Sequence, residues 1–506
     1  MNRKVQSVLL GAVLFAAPTV RAAEPNLQPI VERLGSSASR DRIEAVRDLT
    51  RLKPPAAKAR PLLEKLLTDS SNEVRGEVVW SIADLLGAQG TDLLEKLYAD
   101  SDRTVRDSAI RAACKMWDQA KPKALCTRAF GDADYAARVE VLGTLRDSFP
   151  KDAGAAELFR KALKDPSPMV QRSGVLGVQS ARDAKAVPEL ARLARSPEEI
   201  VSEPAVSEAL ATIGTPEAVQ ELIALLPKPK PEGNKPARPN DRIRAAAARA
   251  LERIKDPKSL PALRAILSDP SPMVRIGAMG AVTEMRDKQS VTLIAGQLAD
   301  KETRVRQFAL RSLRQIGDPS CADAVRKVLH EDKEWEVRSS AVSTLADLLG
   351  AKAIPDLAAT KDDLTPEVRL EAAGSLAGFG KPAAAALAVF VKDASADVRK
   401  VAIQGLGQIG GPENIPAITE AAADTGKPNL QVRVAAAEAL GGIKHEDGLP
   451  TLTKLAGDAE PSVRQAAAVA LGRIGGPKAQ KVLEGLLKDQ VGAVRNAARK
   501  ALDNKK

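Results

Sequence analysis

Aromatic rings are scarce in this chain: 506 residues contain three tryptophans, two tyrosines and seven phenylalanines. A length that would ordinarily hold about three or four domains with conventional cores must therefore pack mainly through small side chains. Histidine is scarcer still, because His330 and His445 are the only two. Each is followed by glutamate, in "LHED" and "KHED", but at non-equivalent turn positions of the pattern described below, so both read as surface residues. Neither GxSxG nor a cysteine–histidine arrangement occurs, and ordinary nucleophilic or general-base catalysis has no evident carrier. The expectation is a non-enzyme with no catalytic residue, no metal and no cofactor.

Cys114, Cys126 and Cys321 are too few for a disulfide scaffold, and their odd number leaves at least one unpaired. A bridge between Cys114 and Cys126 stays open in an oxidising compartment. Long apolar runs are missing except at the N-terminus. There "VLLGAVLFAA" follows Arg3 and Lys4 and precedes "TVRAAEP", with Val20 and Ala22 as the small residues before a cut. This run is shorter than the ~20 residues a bilayer requires. It reads as a signal peptide over residues 1–22, no cysteine for lipid attachment lies near the cut, and the mature chain of residues 23–506 is expected to begin at Ala23, periplasmic or secreted. Losing Arg3, Lys4 and Arg21 takes the formal charge from +11 to +8. A basic exported chain meets acidic proteins or anionic envelope polymers sooner than nucleic acid.

What the chain does contain is a repeat. "KDPSPMVQ" (Lys164 to Gln171) and "SDPSPMVR" (Ser268 to Arg275) share the core "DPSPMV". A helical frame beginning at Val305 in "TRVRQFALRSLRQIG" places apolar or small residues at offsets 4, 5, 8 and 11, the period of an amphipathic helix. That frame recurs fifteen times between Asp41 and Val494, at spacings of 30 to 34 residues with one of 41. A shorter apolar segment such as "SLPALRAIL" or "AQKVLEGLL" lies between frames, so each unit is a helical hairpin. One hairpin cannot bury both its faces, and neighbours must stack into an all-α solenoid. The long spacing holds "LPKPKPEGNKPARPND", a Pro/Lys-rich loop insertion at 226–241.

Two positions repeat more strictly than packing requires. Arginine follows the frame start in thirteen of fifteen units, and aspartate precedes it by five residues in eleven; Gln171 and Glu203 are the departures from arginine. The spacing sets a carboxylate in the turn and a guanidinium on the first turn of the next helix, which predicts a ladder of ion pairs. In "DPSP" the aspartate and serine are expected to offer side-chain oxygens to the amides of the helix start, with proline in its first turn. "GLGQIG", residues 405–410, matches a dinucleotide fingerprint only in letters, because it falls in the last turns of a repeat helix with Leu406 and Ile409 at core offsets.

With its periodic Pro, Asp, Val and Arg, the sequence resembles HEAT-repeat proteins, and its short repeats are similar to the HEAT-like repeats of phycobilin lyase subunits. The resemblance covers essentially all of residues 23–506. It implies a right-handed superhelix of about fifteen hairpins, an armadillo-like helical architecture, with the second helix of each hairpin lining the concave side. On that side offsets 6 and 10 point outward from the core, and the partner-binding candidates there are Arg47, Arg51, Arg111, Lys115, Arg249, Arg253 and Arg311. Asp84, Asp147, Glu208 and Glu284 interrupt them, and Ser343, Gly374, Gly378, Gln404 and Gln408 follow. The implied function is an exported scaffold or adaptor that binds an acidic protein along the concave face. The alternatives are a binder of anionic envelope polymer and a lyase-like enzyme built on the same repeats.

Overall fold

The computed structural model describes residues 26–195, 204–227, 241–423 and 429–503. The expected leader and its cut at Ala23, Glu203, and residues 228–240 of the insertion lie outside the described residues. Among the described residues the regular structure is helical throughout. The chain divides into two compact units, residues 1–201 and residues 202–506.

In the N-terminal unit the repeated frame forms α1 (Ser39–Leu52), α2 (Asn72–Leu86), α3 (Arg103–Cys114), α4 (Tyr135–Ser148) and α5 (Pro168–Ala181). In the C-terminal unit it forms α6 (Pro204–Ile213), α7 (Asp241–Ile254), α8 (Pro272–Glu284), α9 (Thr303–Ile316) and α10 (Trp335–Leu349). The series continues with α11 (Pro366–Gly378), α12 (Ala396–Ile409), α13 (Leu430–Ile443), α14 (Pro461–Ile474) and α15 (Gly492–Asp503). Each is preceded by a shorter helix, such as Ala56–Lys65 or Leu260–Ala265. The fifteen expected frames are thus fifteen helices. Within each unit consecutive long helices lie against one another, while consecutive short helices touch far less. The long-helix side is therefore the more tightly stacked side.

The frame explains the core. Val305, Ala309, Leu310 and Leu313, at the frame start and offsets 4, 5 and 8 of α9, are completely buried, as are Val74, Val78, Val79 and Ile82 in α2. Each large aliphatic side chain so buried contributes ~1.5–3 kcal/mol. Offset 11 varies: Ile316 of α9 is buried, whereas Ile409, Ile443 and Ile474 are only half-buried.

Small residues replace the missing rings. Gly407 of α12 faces Ala439 of α13, Gly441 of α13 faces Ala470 of α14, and Gly472 of α14 faces Ala501 of α15. A Cβ on any of these glycines would sit 2.6–2.7 Å from that of the alanine, well inside contact distance, so the helices approach backbone to backbone. The same observation disposes of the fingerprint in "GLGQIG": Gly405 lies against Ala377 and Leu387, and Gly407 against Ala439.

The "DPSP" turn differs from expectation in one respect. Asp165 and Asp269 do serve the helix start, accepting the amides of Ser167 and Ser271 at 2.8 and 2.9 Å, and Pro168 and Pro272 open α5 and α8, where a missing N–H costs little. The serine hydroxyls make no cap. The amides of Val170 and Val274 that they would serve already bond the carbonyls of Ser167 and Ser271, at 3.1 Å each, and Ser271 Oγ turns to Asp241 instead.

Cys114, at the end of α3, and Cys126, in the short helix Ala120–Phe130, are joined as a disulfide with their Cα atoms 5.6 Å apart. Cys321 is a buried free thiol, and burial raises its pKa.

Candidate partner-binding face

The repeated arginines belong to the framework. Arg306 Nε and Nη2 donate to the two carboxylate oxygens of Asp332, at 2.6 and 2.9 Å, while Nη1 donates to the Asp300 carbonyl at 3.0 Å. Each arginine thus takes a carbonyl from its own turn and a carboxylate from the next hairpin. The arrangement recurs as Arg75–Asp100, Arg338–Asp363, Arg369–Asp393 and Arg464–Asp489. Arg42 pairs with Asp69, Arg138 with Asp165, Arg244 with Asp269, Arg275 with Asp300 and Arg433 with Asp458. Charge follows geometry here. The hydrogen bond to Asp332 raises the Arg306 pKa. Burial alone would push Asp363 up, but the Arg338 fork and the Thr365 amide together hold it below the usual carboxylate range.

Among the described residues four rungs depart from the pattern, one of them at Arg495 of the last frame, which bonds the Asp489 and Gln490 carbonyls and no carboxylate. Asp132 receives the Tyr98 hydroxyl, while Arg106 bonds the Asp100 and Ser101 carbonyls. Burial and the bond to Asp132 push the Tyr98 phenol up to about 12. Gln171 keeps the backbone half of the rung, donating to the Asp165 carbonyl at 2.7 Å, but lacks the fork that grips a carboxylate. Asn429 stands opposite Arg399 and accepts its guanidinium.

With the offset-1 arginines committed to the ladder, recognition falls to the outward offsets. The structure places six of the seven candidates on the long helices and Lys115 just past the end of α3; six are exposed and Arg111 is half-buried. Four hold side-chain carboxylates. In the N-terminal unit Arg47 of α1 pairs with Glu77 of α2 at 3.0 Å, Arg51 with Asp48 at 3.0 Å, and Arg111 of α3 with Glu140 of α4 at 3.3 Å. Lys115 lies 4.8 Å from the centre of the Trp80 ring. In the C-terminal unit Arg253 of α7 pairs with Glu208 of α6, Arg249 is exposed, and Arg311 lies 5.9 Å from the Phe308 ring centre. Glu208 and Glu284 do more than interrupt a basic row: Glu284 also pairs with Lys255 at 2.8 Å.

Sequence reasoning missed Glu77 and Glu140. Both stand at offset 3, one hairpin beyond an arginine at offset 6, and that cross-repeat register is the signal that would have found them. The face alternates in charge. Each exposed pair contributes only ~0–1 kcal/mol, so a partner can compete for either member.

His330 occupies the last turn of the helix Ala322–Glu331, and His445 Nδ1 lies 3.3 Å from Asp447. Among the described residues no cluster of three or more His, Cys, Asp or Glu could hold a metal ion. Nor is any described helix long and apolar enough to cross a membrane.

The family model for HEAT repeats matches residues 27–114, 156–235, 236–303, 292–364, 357–431 and 425–503. No curated protein matches the chain. Solved structures that resemble it include importin beta crystallised in an ammonium sulfate condition, at 14% identity and a TM-score of 0.47, over 94% of this chain and 78% of that one. Kap95p bound to RanGDP matches at 12% identity and a TM-score of 0.44, over 94% and 82% of the two chains. A homology model of the full-length AP-3 complex in an intermediate open conformation matches at 13% identity and a TM-score of 0.47, over 95% and 93%.

Proposed function

The chain belongs to the HEAT-repeat family, and on that premise we propose that it is an exported, non-enzymatic scaffold whose long-helix face binds a protein partner. One observation supports the reading: six of the seven candidate cations, three in each compact unit, are exposed. Stacked hairpins are a means of presenting such a face over many repeats.

The charge pattern supports a protein partner over an anionic polymer. A polyanion is held by a continuous cationic stripe, whereas Arg47, Arg111 and Arg253 already face Glu77, Glu140 and Glu208. A protein surface with its own charges of both signs can exchange with such pairs one at a time. Export rests on the sequence of residues 1–22.

The test is capture from envelope extracts by the immobilised chain of residues 23–506. Charge reversal of Arg249 and Arg253 should lower retention of the recovered partner and flatten its salt dependence. Unchanged retention and salt slope would remove this face from consideration, and mass spectrometry of the protein from its native host finding an intact Met1 would overturn export.

A further inference from the structure

We propose that the groove between α14 and α15 is a docking site for an extended acidic peptide segment of a partner protein. The inference deepens the scaffold reading and rests on it. The groove, with a volume of about 550 Å³, runs along the long-helix face of the last two hairpins, and no acidic residue lines it.

Its charge differs from that of the ion-paired positions elsewhere on the long helices. Arg47, Arg111, Arg253 and Lys255 each meet a carboxylate from a neighbouring long helix. Arg473 and Lys500 line the groove, both exposed, and neither forms an ion pair with a described residue. The sequence shows why. Where α3 and α4 match Arg111 with Glu140, α14 and α15 carry Val469 and Ala497, so this helix pair lacks the cross-repeat ion pair. The register that supplies an acid to offset 6 has no following frame to supply one to Lys500. Glu438 of α13 occupies the position from which Glu208 reaches Arg253, yet it is beyond ion-pair distance of Arg473. Two cations with no acid between them call for carboxylates from outside.

The remaining lining selects a peptide among anionic ligands. Gln465 and Asn496 stand at the same offset on the two helices and line the groove; each amide both donates and accepts, as a peptide backbone requires. Gly472 packs against Ala501 where the two helices meet, and both line the groove. Val469, 40% exposed, offers an apolar wall to a side chain. A polyanion would engage the two cations and leave the amide pair and this wall without a role.

The test uses the full chain and two fluorescein-labelled peptides of equal length, one alternating glutamate with alanine and one alternating glutamine with alanine. The glutamate peptide should bind, weakening as salt rises, and the glutamine peptide should bind about tenfold more weakly. Arg473→Gln combined with Lys500→Gln should weaken glutamate-peptide binding about tenfold with an unchanged melting curve, since both side chains are exposed. Lys258→Gln combined with Lys288→Gln, at two exposed lysines away from the groove, should leave it unaltered. Absent binding, equal binding of the two peptides, or equal affinity in the Arg473/Lys500 variant would overturn the proposal. So would inorganic polyphosphate binding more tightly than the peptide and losing that advantage in the same variant, which would make the groove a polyanion site. A captured partner that depends on Arg249 and Arg253 but is indifferent to Arg473 and Lys500 would sink this groove and leave the scaffold reading standing.

Discussion

The Arg306 guanidinium grips both carboxylate oxygens of Asp332, 26 positions further along the chain, at 2.6 and 2.9 Å. The same aspartate accepts the Glu334 amide at 3.0 Å near the start of α10. One carboxylate therefore orders the entry to its own long helix and ties it to the preceding hairpin. Both side chains are nearly buried, at 6% exposure each, so losing either leaves the other without its partner.

Arg306→Ala should destabilise the protein by about 1–3 kcal/mol, the cost of buried polar groups left unsatisfied. Arg314 meets Asp347 at 3.6 Å with 42% of its side chain exposed, and Arg314→Ala should cost at most ~1 kcal/mol. Urea denaturation of the two variants distinguishes them, and equal midpoints would reduce the ladder to surface decoration.

Acid should dismantle the same framework. Asp69, Asp100, Asp363 and Asp489 all have folded pKa values below the ordinary 3.8. A carboxylate depressed on folding contributes stability that is fully present above its unfolded pKa and is lost as pH falls through the folded value. The melting temperature should be nearly flat from about pH 8 to 5 and drop steeply below about pH 4. A profile that stays flat through that lower range would contradict the pairing.

Glycine substitutions should have opposite signs at two helical positions. Gly374 has nothing within 4 Å of an added Cβ, so Gly374→Ala should stabilise by ~0.5–1 kcal/mol through helix propensity alone. At Gly407 the new Cβ would lie 2.6 Å from Ala439 Cβ, and overpacking of ~1–3 kcal/mol should outweigh that gain. Thermal melts of the two variants check the prediction.

The Cys114–Cys126 disulfide should be visible by thiol counting. Denatured without reductant, the chain should expose one reactive thiol, Cys321, and after reduction all three. The closed loop is short, with a sequence separation of 12, so reduction should lower stability by about 2–3 kcal/mol. Three thiols titrating without reductant would show that the bridge does not form.

Most of the architecture was legible because one hairpin is described fifteen times over. Noise in any single helix averages out when Val305, Val337 and Val368 all begin the same frame, and the arginine after each stood out for the same reason. The direction of the rungs was not legible: an aspartate five residues before Val305 and another five before Val337 are equally available to Arg306 on paper. Only the stacking shows that the first gives its carbonyl and the second its carboxylate. The candidate face was half-read. Exposure at offsets 6 and 10 follows from helical period, but the Arg47–Glu77 and Arg111–Glu140 pairs depend on how far one helix is shifted along the next, which no single helix encodes. Tyr98 taking the place of arginine at Asp132 leaves no periodic trace at all.

Because most of the ladder arginines take their carboxylate from the hairpin that comes next, those rungs are interchangeable parts. Excising residues 270–300 would join Asp269 directly to Lys301. Arg244 would keep the Asp269 carboxylate it already holds, and Arg306 would find the Asp269 carbonyl where that of Asp300 had been, with Asp332 still ahead of it. The seam would read like any other turn of the stack. A chain built this way can lengthen or shorten by whole hairpins through in-frame duplication or deletion without losing the pairing that joins one hairpin to the next.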